Sequence, residues 1–182
     1  HVETGIFGTL WLLHALSGAG RSDVALRIAS QRTFPSWGHM LESGATTLWE
    51  TWKASDNTFS NDHPMFGSVA GWMVQWLAGL QVADDAVGAD VLRLRPQPVP
   101  GLGHARATWR GPRGEVVCGW RRDGDRLLVE AVVPPGSVAR LEIPAARGAS
   151  VRDGDRAAER APGVAFQSHA GGLWRAQLES GA

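Results

Sequence analysis

Residues 63–81 read HPMFGSVAGWMVQWLAGLQ, and residues 91–98 read VLRLRPQP. In the first stretch Met65, Val69, Trp72, Met73 and Trp76 recur at intervals of three and four, which places them on one face of a helix. Pro64 suits the first turn, with Asn61 or Asp62 as the cap. In the second stretch apolar and charged residues alternate, the period of a strand with one buried face. The change of period divides the chain. It predicts helices before residues 81–90 and strands after them, with domains over 1–84 and 85–182.

Upstream of this junction the helical period continues. In GIFGTLWLLHALS (5–17) the residues Phe7, Leu10, Trp11 and His14 share a face, and Thr4 is placed to cap it. Ser22 would cap a second helix, DVALRIASQ, with Val24, Leu26 and Ile28 as its apolar stripe. Pro35 fits the first turn of a third, short helix that stops at Gly44. Short connections between such helices point to a bundle or to part of an α/α barrel.

Downstream, short alternating runs are split by glycine and proline: HARATWRG, EVVCGWRRDGD, RLLVEAVVPPG and SVARLEIPA. Asp-Gly within RRDGDR is a hairpin signal. Strands at this spacing predict an antiparallel β-sandwich.

Composition narrows the function. The chain has 182 residues with 18 basic and 18 acidic side chains, so no net field draws nucleic acid or an anionic membrane. No apolar run approaches the ~20 residues of a membrane-spanning helix. The single cysteine, Cys118, excludes an internal disulfide and reads as a buried thiol. Cellular compartment, whether cytoplasmic or secreted, is not encoded in these features. Nine tryptophans accompany no tyrosine, and six of the nine lie in the first 80 residues. Indole rings fill cores, and their flat faces also suit the C–H face of a sugar ring.

The chemistry-bearing residues cluster in ESGATTLWE, residues 42–50. Glu42 and Glu50 form the kind of carboxylate pair that serves glycoside hydrolysis, where one acts as acid and the other as base or nucleophile. Both lie in one short segment, however, whereas the two groups must flank the scissile bond, and structural capping or ion pairing is open to each. Trp49 and Trp52 flank Glu50 and would strip water from it. His63, at the start of a helix, is placed to donate to a ligand hydroxyl or to cap. His39, Glu42, Glu50, Asp56, Asp62 and His63 contain no pair at HExxH spacing, so a metal site is not expected. No GxSxG elbow and no phosphate- or dinucleotide-binding glycine pattern occurs.

The runs TGIFGTLWLLHALSGAGRSDVALRI, TFPSWGHMLESGATTLWETW, NDHPMFGSVAGWMVQWLAGL and LRLRPQP together resemble the C-terminal part of bacterial α-L-rhamnosidases of glycoside hydrolase family 78. The resemblance covers Thr4 to Pro98 and extends more loosely through VPPGSVARLEIP. It implies the C-terminal helices of an (α/α)6 barrel followed by an antiparallel β-sandwich. The implied activity is removal of terminal α-L-rhamnose from glycosides with inversion, using no metal or organic cofactor.

By the same resemblance Glu50 corresponds to the general base and Glu42 to a residue that meets substrate hydroxyls or orients the site. Trp49 and, more weakly, Trp37 correspond to apolar walls, and His63 to a sugar contact. The loop between Glu50 and His63 is short for the family, and the family's general acid belongs to a segment upstream of the residues present. The expectation is therefore a piece of a longer enzyme, inactive alone, whose partners are a rhamnose-containing glycoside and the remainder of the barrel. The alternatives are another glycosidase on the same barrel, a carbohydrate-binding remnant without catalysis, and a truncated reading frame.

Overall fold

The computed structural model describes residues 1–54 and 59–181. The chain forms two compact units, His1–Met73 and Val74–Ala182.

The first unit is helical. It holds α1 (Ile6–Gly18), α2 (Ser22–Ala29) and α3 (Trp37–Glu42), then a 3-10 turn at Pro64–Gly67 that leads into α4 (Ser68–Trp72). Its core gathers Leu13, Met40, Trp49, Trp52, Phe66 and Trp72. Buried indoles find partners for their N–H groups, as apolar surroundings demand. Trp72 Nε1 donates to Ser17 Oγ at 2.8 Å, and Ser22 Oγ donates to the same oxygen at 2.8 Å. Ser22 thus ties α2 to α1 rather than capping its own helix, for which Arg21 is the N-cap without a side-chain bond.

Three helical details depart from the sequence pattern. The buried face of α1 is Thr9, Leu13 and Ser17, while Phe7 and Trp11 are each 70% exposed. Thr4 does not cap this helix; its hydroxyl meets Thr9 Oγ1 at 2.9 Å, and Gly5 occupies the N-cap. In α3 the cap is Ser36, whose Oγ accepts from His39 N at 2.9 Å, so Pro35 precedes the helix instead of opening it.

Beyond α4 the backbone widens into a π-helical turn, Met73–Ala78. The wider turn breaks the 3.6-residue stripe. Trp72, Leu77 and Ala78 are buried, whereas Met73 is 41% exposed. Gly79 then ends the turn with φ +87°, and a Cβ there would lie 2.2 Å from Pro96 N. Only glycine admits that approach.

The second unit contains strands β1 (Leu80–Val82), β2 (Val91–Leu94), β3 (His104–Gly111), β4 (Gly114–Asp123), β5 (Arg126–Val132) and β6 (Val138–Pro144). The short β7 (Arg152–Asp153) and β8 (Arg156–Ala157) follow, and then β9 (Val164–Ala170) and β10 (Leu173–Leu178). Five strands order as β1-β2-β6-β10-β9, three as β3-β4-β5, and β7 pairs with β8. Neighbours are antiparallel except β2 and β6, which run parallel from Val91↔Val138 to Leu94↔Leu141. The uniformly antiparallel expectation fails at that one pairing, because β2 reaches β6 across the β3–β5 meander instead of through a hairpin.

Both larger sheets feed one buried cluster. Leu92, Leu94, Ala139, Leu141, Trp174 and Leu178 come from the five-stranded sheet, and Ala107, Val116 and Cys118 from the three-stranded one. The hairpin expected at RRDGDR forms, with Asp123 paired to Arg126 and Gly124 at its tip with φ +56°. Trp120 is buried and donates from Nε1 to Leu77 O at 2.7 Å. Among the described residues no helix is long and apolar enough to cross a membrane.

Candidate functional site

The segment after α3 builds the site. Gly44, with φ +85°, turns the chain out of the helix, and the irregular run 45–50 then meets residues 60–63. Backbone bonds pinch the two runs together. His63 N donates to Leu48 O at 2.7 Å, and Glu50 N donates to Ser60 O at 2.9 Å. Thr47 Oγ1 adds a bond to Asn61 O. The pinch brings Glu50 and His63 to the same end of the intervening loop, although twelve residues separate them in sequence.

Glu50 is half-buried, and Trp49 and Trp52, which flank it in sequence, are both buried. Its carboxylate is held by the loop that it opens, since Ser60 N donates to Glu50 Oε2 at 2.8 Å. Among the described residues Oε1 has no hydrogen-bond partner. One oxygen is therefore anchored and the other is available to accept a proton, which is the arrangement a positioned base requires. Ser60 is itself fixed, its Oγ accepting from Asp62 N at 3.0 Å and donating to Asp62 O at 2.9 Å.

Glu42 lies apart in its interactions. At the end of α3 it accepts from Arg32 Nε at 2.6 Å, an exposed ion pair whose side chains are 78% and 48% accessible. Such pairs contribute at most about 1 kcal/mol. Trp37 belongs to an aromatic group, edge-on to Trp52 at 5.0 Å and to Phe66 at 6.3 Å, with its Nε1 donating to Phe66 O at 3.1 Å. Trp52 stacks on Phe66 at 3.9 Å and donates to Thr4 O at 2.8 Å. Trp37 also lines an open groove of about 240 Å³ with Met40, Leu41, Thr46, Thr47 and Leu48. Glu42, Trp49, Glu50 and His63 do not line that groove.

Neither Ser60 nor Thr47 stood out in the sequence. Ser60 acts on Glu50 through its backbone amide, which carries no side-chain signature. Asp56 lies outside the described residues, and among those described no group of three His, Cys, Asp or Glu is placed to hold a metal. Cys118 is fully buried, and burial pushes its thiol up to about 12, so it stays protonated and takes no part in nucleophilic chemistry.

Comparison with known proteins agrees on one family. Residues 1–77 match the bacterial alpha-L-rhamnosidase 6 hairpin glycosidase domain, and residues 85–158 match the bacterial alpha-L-rhamnosidase C-terminal domain. An alpha-L-rhamnosidase of Streptomyces avermitilis is 37% identical over 153 residues, covering 80% of this chain and 15% of the relative. The structure of Streptomyces avermitilis alpha-L-rhamnosidase complexed with L-rhamnose superposes with a TM-score of 0.83 at 32% identity, over 100% of this chain and 17% of that one. The alpha-L-rhamnosidase of Dictyoglumus thermophilum gives 0.82 at 30% identity, over 99% of this chain and 21% of that one. The chain spans 15–17% of the length of the curated relatives it matches. On this evidence the chain belongs to the bacterial α-L-rhamnosidase family, residues 1–77 falling in its glycosidase domain and residues 85–158 in its C-terminal domain.

Proposed function

We propose that this chain is part of an inverting glycoside hydrolase that removes terminal α-L-rhamnose from glycosides, with Glu50 as the general base. Residues 1–84 are read as the last helices of an (α/α)6 catalytic barrel. Residues 85–182 are read as a C-terminal β-sandwich, antiparallel in all but one pairing. The observation that carries the reading is the Glu50 carboxylate. It is flanked in sequence by buried tryptophans and anchored through Oε2 by the Ser60 amide at 2.8 Å, and among the described residues Oε1 has no hydrogen-bond partner.

In this mechanism Oε1 takes a proton from a water on the face of the sugar opposite the leaving group. That water attacks the anomeric carbon as the glycosidic bond breaks, and a second carboxylic acid protonates the departing oxygen. The acid belongs to the rest of the barrel, because Glu42 is engaged by Arg32 at the surface. Trp49 walls the base, Trp37 supports the wall from the aromatic group, and His63 donates to a sugar hydroxyl. Glu42 orients the neighbouring loop or meets outer hydroxyls. No metal or organic cofactor enters any step.

Phe7 and Trp11, each 70% exposed on α1, support the membership of a larger barrel, since aromatic side chains of this size belong under neighbouring helices. The test is the stereochemistry of hydrolysis by the parent enzyme. Proton NMR of the first turnover of an aryl α-L-rhamnoside should show β-L-rhamnose before mutarotation. Initial α-L-rhamnose, or no turnover with rhamnosides while glucosides or glucuronides are cleaved, would overturn the reading. Rhamnose binding without any hydrolysis would point to a non-catalytic binding protein.

A further inference from the structure

A second groove is remote in sequence from Glu50. It lies on the β3–β4–β5 sheet, has a volume of about 530 Å³ and is lined by His104, Arg106, Arg121, Arg122, Leu128 and Glu130 among others. Cross-strand register explains its form. Arg106, Gly119 and Glu130 stand opposite one another in one row, and His104, Arg121 and Leu128 in the next row on the same face.

Arg106 spans the central strand to reach Glu130. Its Nε and Nη2 donate to the two carboxylate oxygens at 2.8 and 3.1 Å, and Nη1 donates to Thr108 Oγ1 at 2.8 Å. A Cβ at Gly119 would meet Arg106 Cγ at 2.9 Å, so the glycine is what lets this planar bridge lie flat on the sheet. Leu128 adds a 36% exposed apolar surface beside it. Arg122, the next residue of β4, projects to the other face with Trp120, its Nη2 donating to Pro98 O at 3.0 Å and its guanidinium 5.9 Å from the Trp120 ring.

The charges in this groove do not balance. Arg106 and Glu130 neutralise each other, whereas Arg121, on the same face, makes no ion pair among the described residues. A chain with no net charge therefore places the unpaired guanidinium of Arg121 in this groove. A cleft lined by one sign of charge raises the local concentration of the opposite sign. Guanidinium groups recognise carboxylates through paired, directional donors.

We propose that this groove binds an acidic sugar residue, a hexuronate within a saccharide chain. Its carboxylate pairs with Arg121, its ring C–H face rests on Leu128 and the flat Arg106–Glu130 bridge, and its hydroxyls meet His104 and Glu130. The choice of a saccharide rests on the glycosidase reading above, and the choice of an acidic one on the groove alone. The site would hold a charged glycan on the second unit.

Isothermal titration calorimetry of the chain with trigalacturonate, maltotriose and sodium sulfate at matched ionic strength tests this. Trigalacturonate should bind at least about tenfold more tightly than either of the others, the factor that one charge-assisted hydrogen bond supplies. Arg121→Ala should weaken that binding by about tenfold, and Leu128→Ala should weaken it too, while Arg147→Ala should leave it unchanged. Circular dichroism confirms that each variant is folded. Equal binding of maltotriose, equal binding of sulfate, or full affinity in folded Arg121→Ala would each overturn the proposal. Glu50→Gln should not alter this binding, so failure here and failure of the catalytic reading are separable.

Discussion

Ser60 and Glu50 are joined twice: Glu50 N donates to Ser60 O at 2.9 Å, and Ser60 N donates back to Glu50 Oε2 at 2.8 Å. The chain thereby fixes one carboxylate oxygen with a rigid backbone donor, while the other has no hydrogen-bond partner among the described residues. Replacing Ser60 by proline removes the donor while leaving Glu50 in place. In the parent enzyme Ser60→Pro should lower kcat by about tenfold or more, as expected when a catalytic group loses its orientation. Ser60→Ala, which keeps the amide, should fall much less. Equal losses in the two variants would show that the amide does not position the base.

The Ser17 hydroxyl receives the N–H of fully buried Trp72 and the hydroxyl of Ser22. Ser17→Ala leaves that indole donor unsatisfied inside the first unit. The cost should be about 1–3 kcal/mol, read as a lower urea midpoint at an unchanged m-value. A neutral substitution would mean that the indole finds another acceptor.

Two glycines with positive φ should respond differently to alanine. Gly79 combines φ +87° with a backbone 2.2 Å from the added Cβ, whereas Gly124, at φ +56°, has open space around it. Gly124→Ala should cost about 1–2 kcal/mol, the penalty of the left-handed conformation alone. Gly79→Ala should cost clearly more, because the Arg95–Pro96 backbone must also move away. Thermal unfolding of both variants gives the comparison.

His14 introduces a pH dependence. Its burial disfavours the charged imidazolium, so its pKa in the folded state lies below the ordinary 6.5. The unfolded chain then binds more protons than the folded one between those two values, and stability rises with pH across that window. The contribution is fully present above about 6.5 and is lost as pH falls through the folded value. Melting temperatures from pH 5 to 8 should show a steeper acid-side decline for the wild type than for His14→Gln. Parallel curves would contradict this origin.

The strands were legible because alternation and turn chemistry act locally. RRDGDR closes its hairpin, and HARATWRG and SVARLEIPA pair where their period places them. The face of α1 was not legible. Ile6, Phe7, Leu10, Trp11, Leu12, Leu13 and Leu16 surround that helix with apolar side chains, so periodicity could not choose a side. The small polar residues Thr9 and Ser17 mark it instead, through hydrogen bonds that only the folded unit reveals. The parallel pairing of β2 with β6 is a long-range contact with no local signature. At the site, the motif pointed to Glu50, but the amide that holds it belongs to a serine in an unremarkable polar loop.

The measurement that bears most directly on Glu50 as the water-activating base is the turnover of Glu50→Gln in the complete enzyme on an aryl α-L-rhamnoside. The substitution keeps the shape and the Ser60 contact but removes the proton acceptor. Turnover should fall by about 10²–10⁴ with little change in KM, and the acidic limb of the pH–rate profile should disappear. Turnover within about threefold of the wild type, or an intact acidic limb, would contradict the assignment.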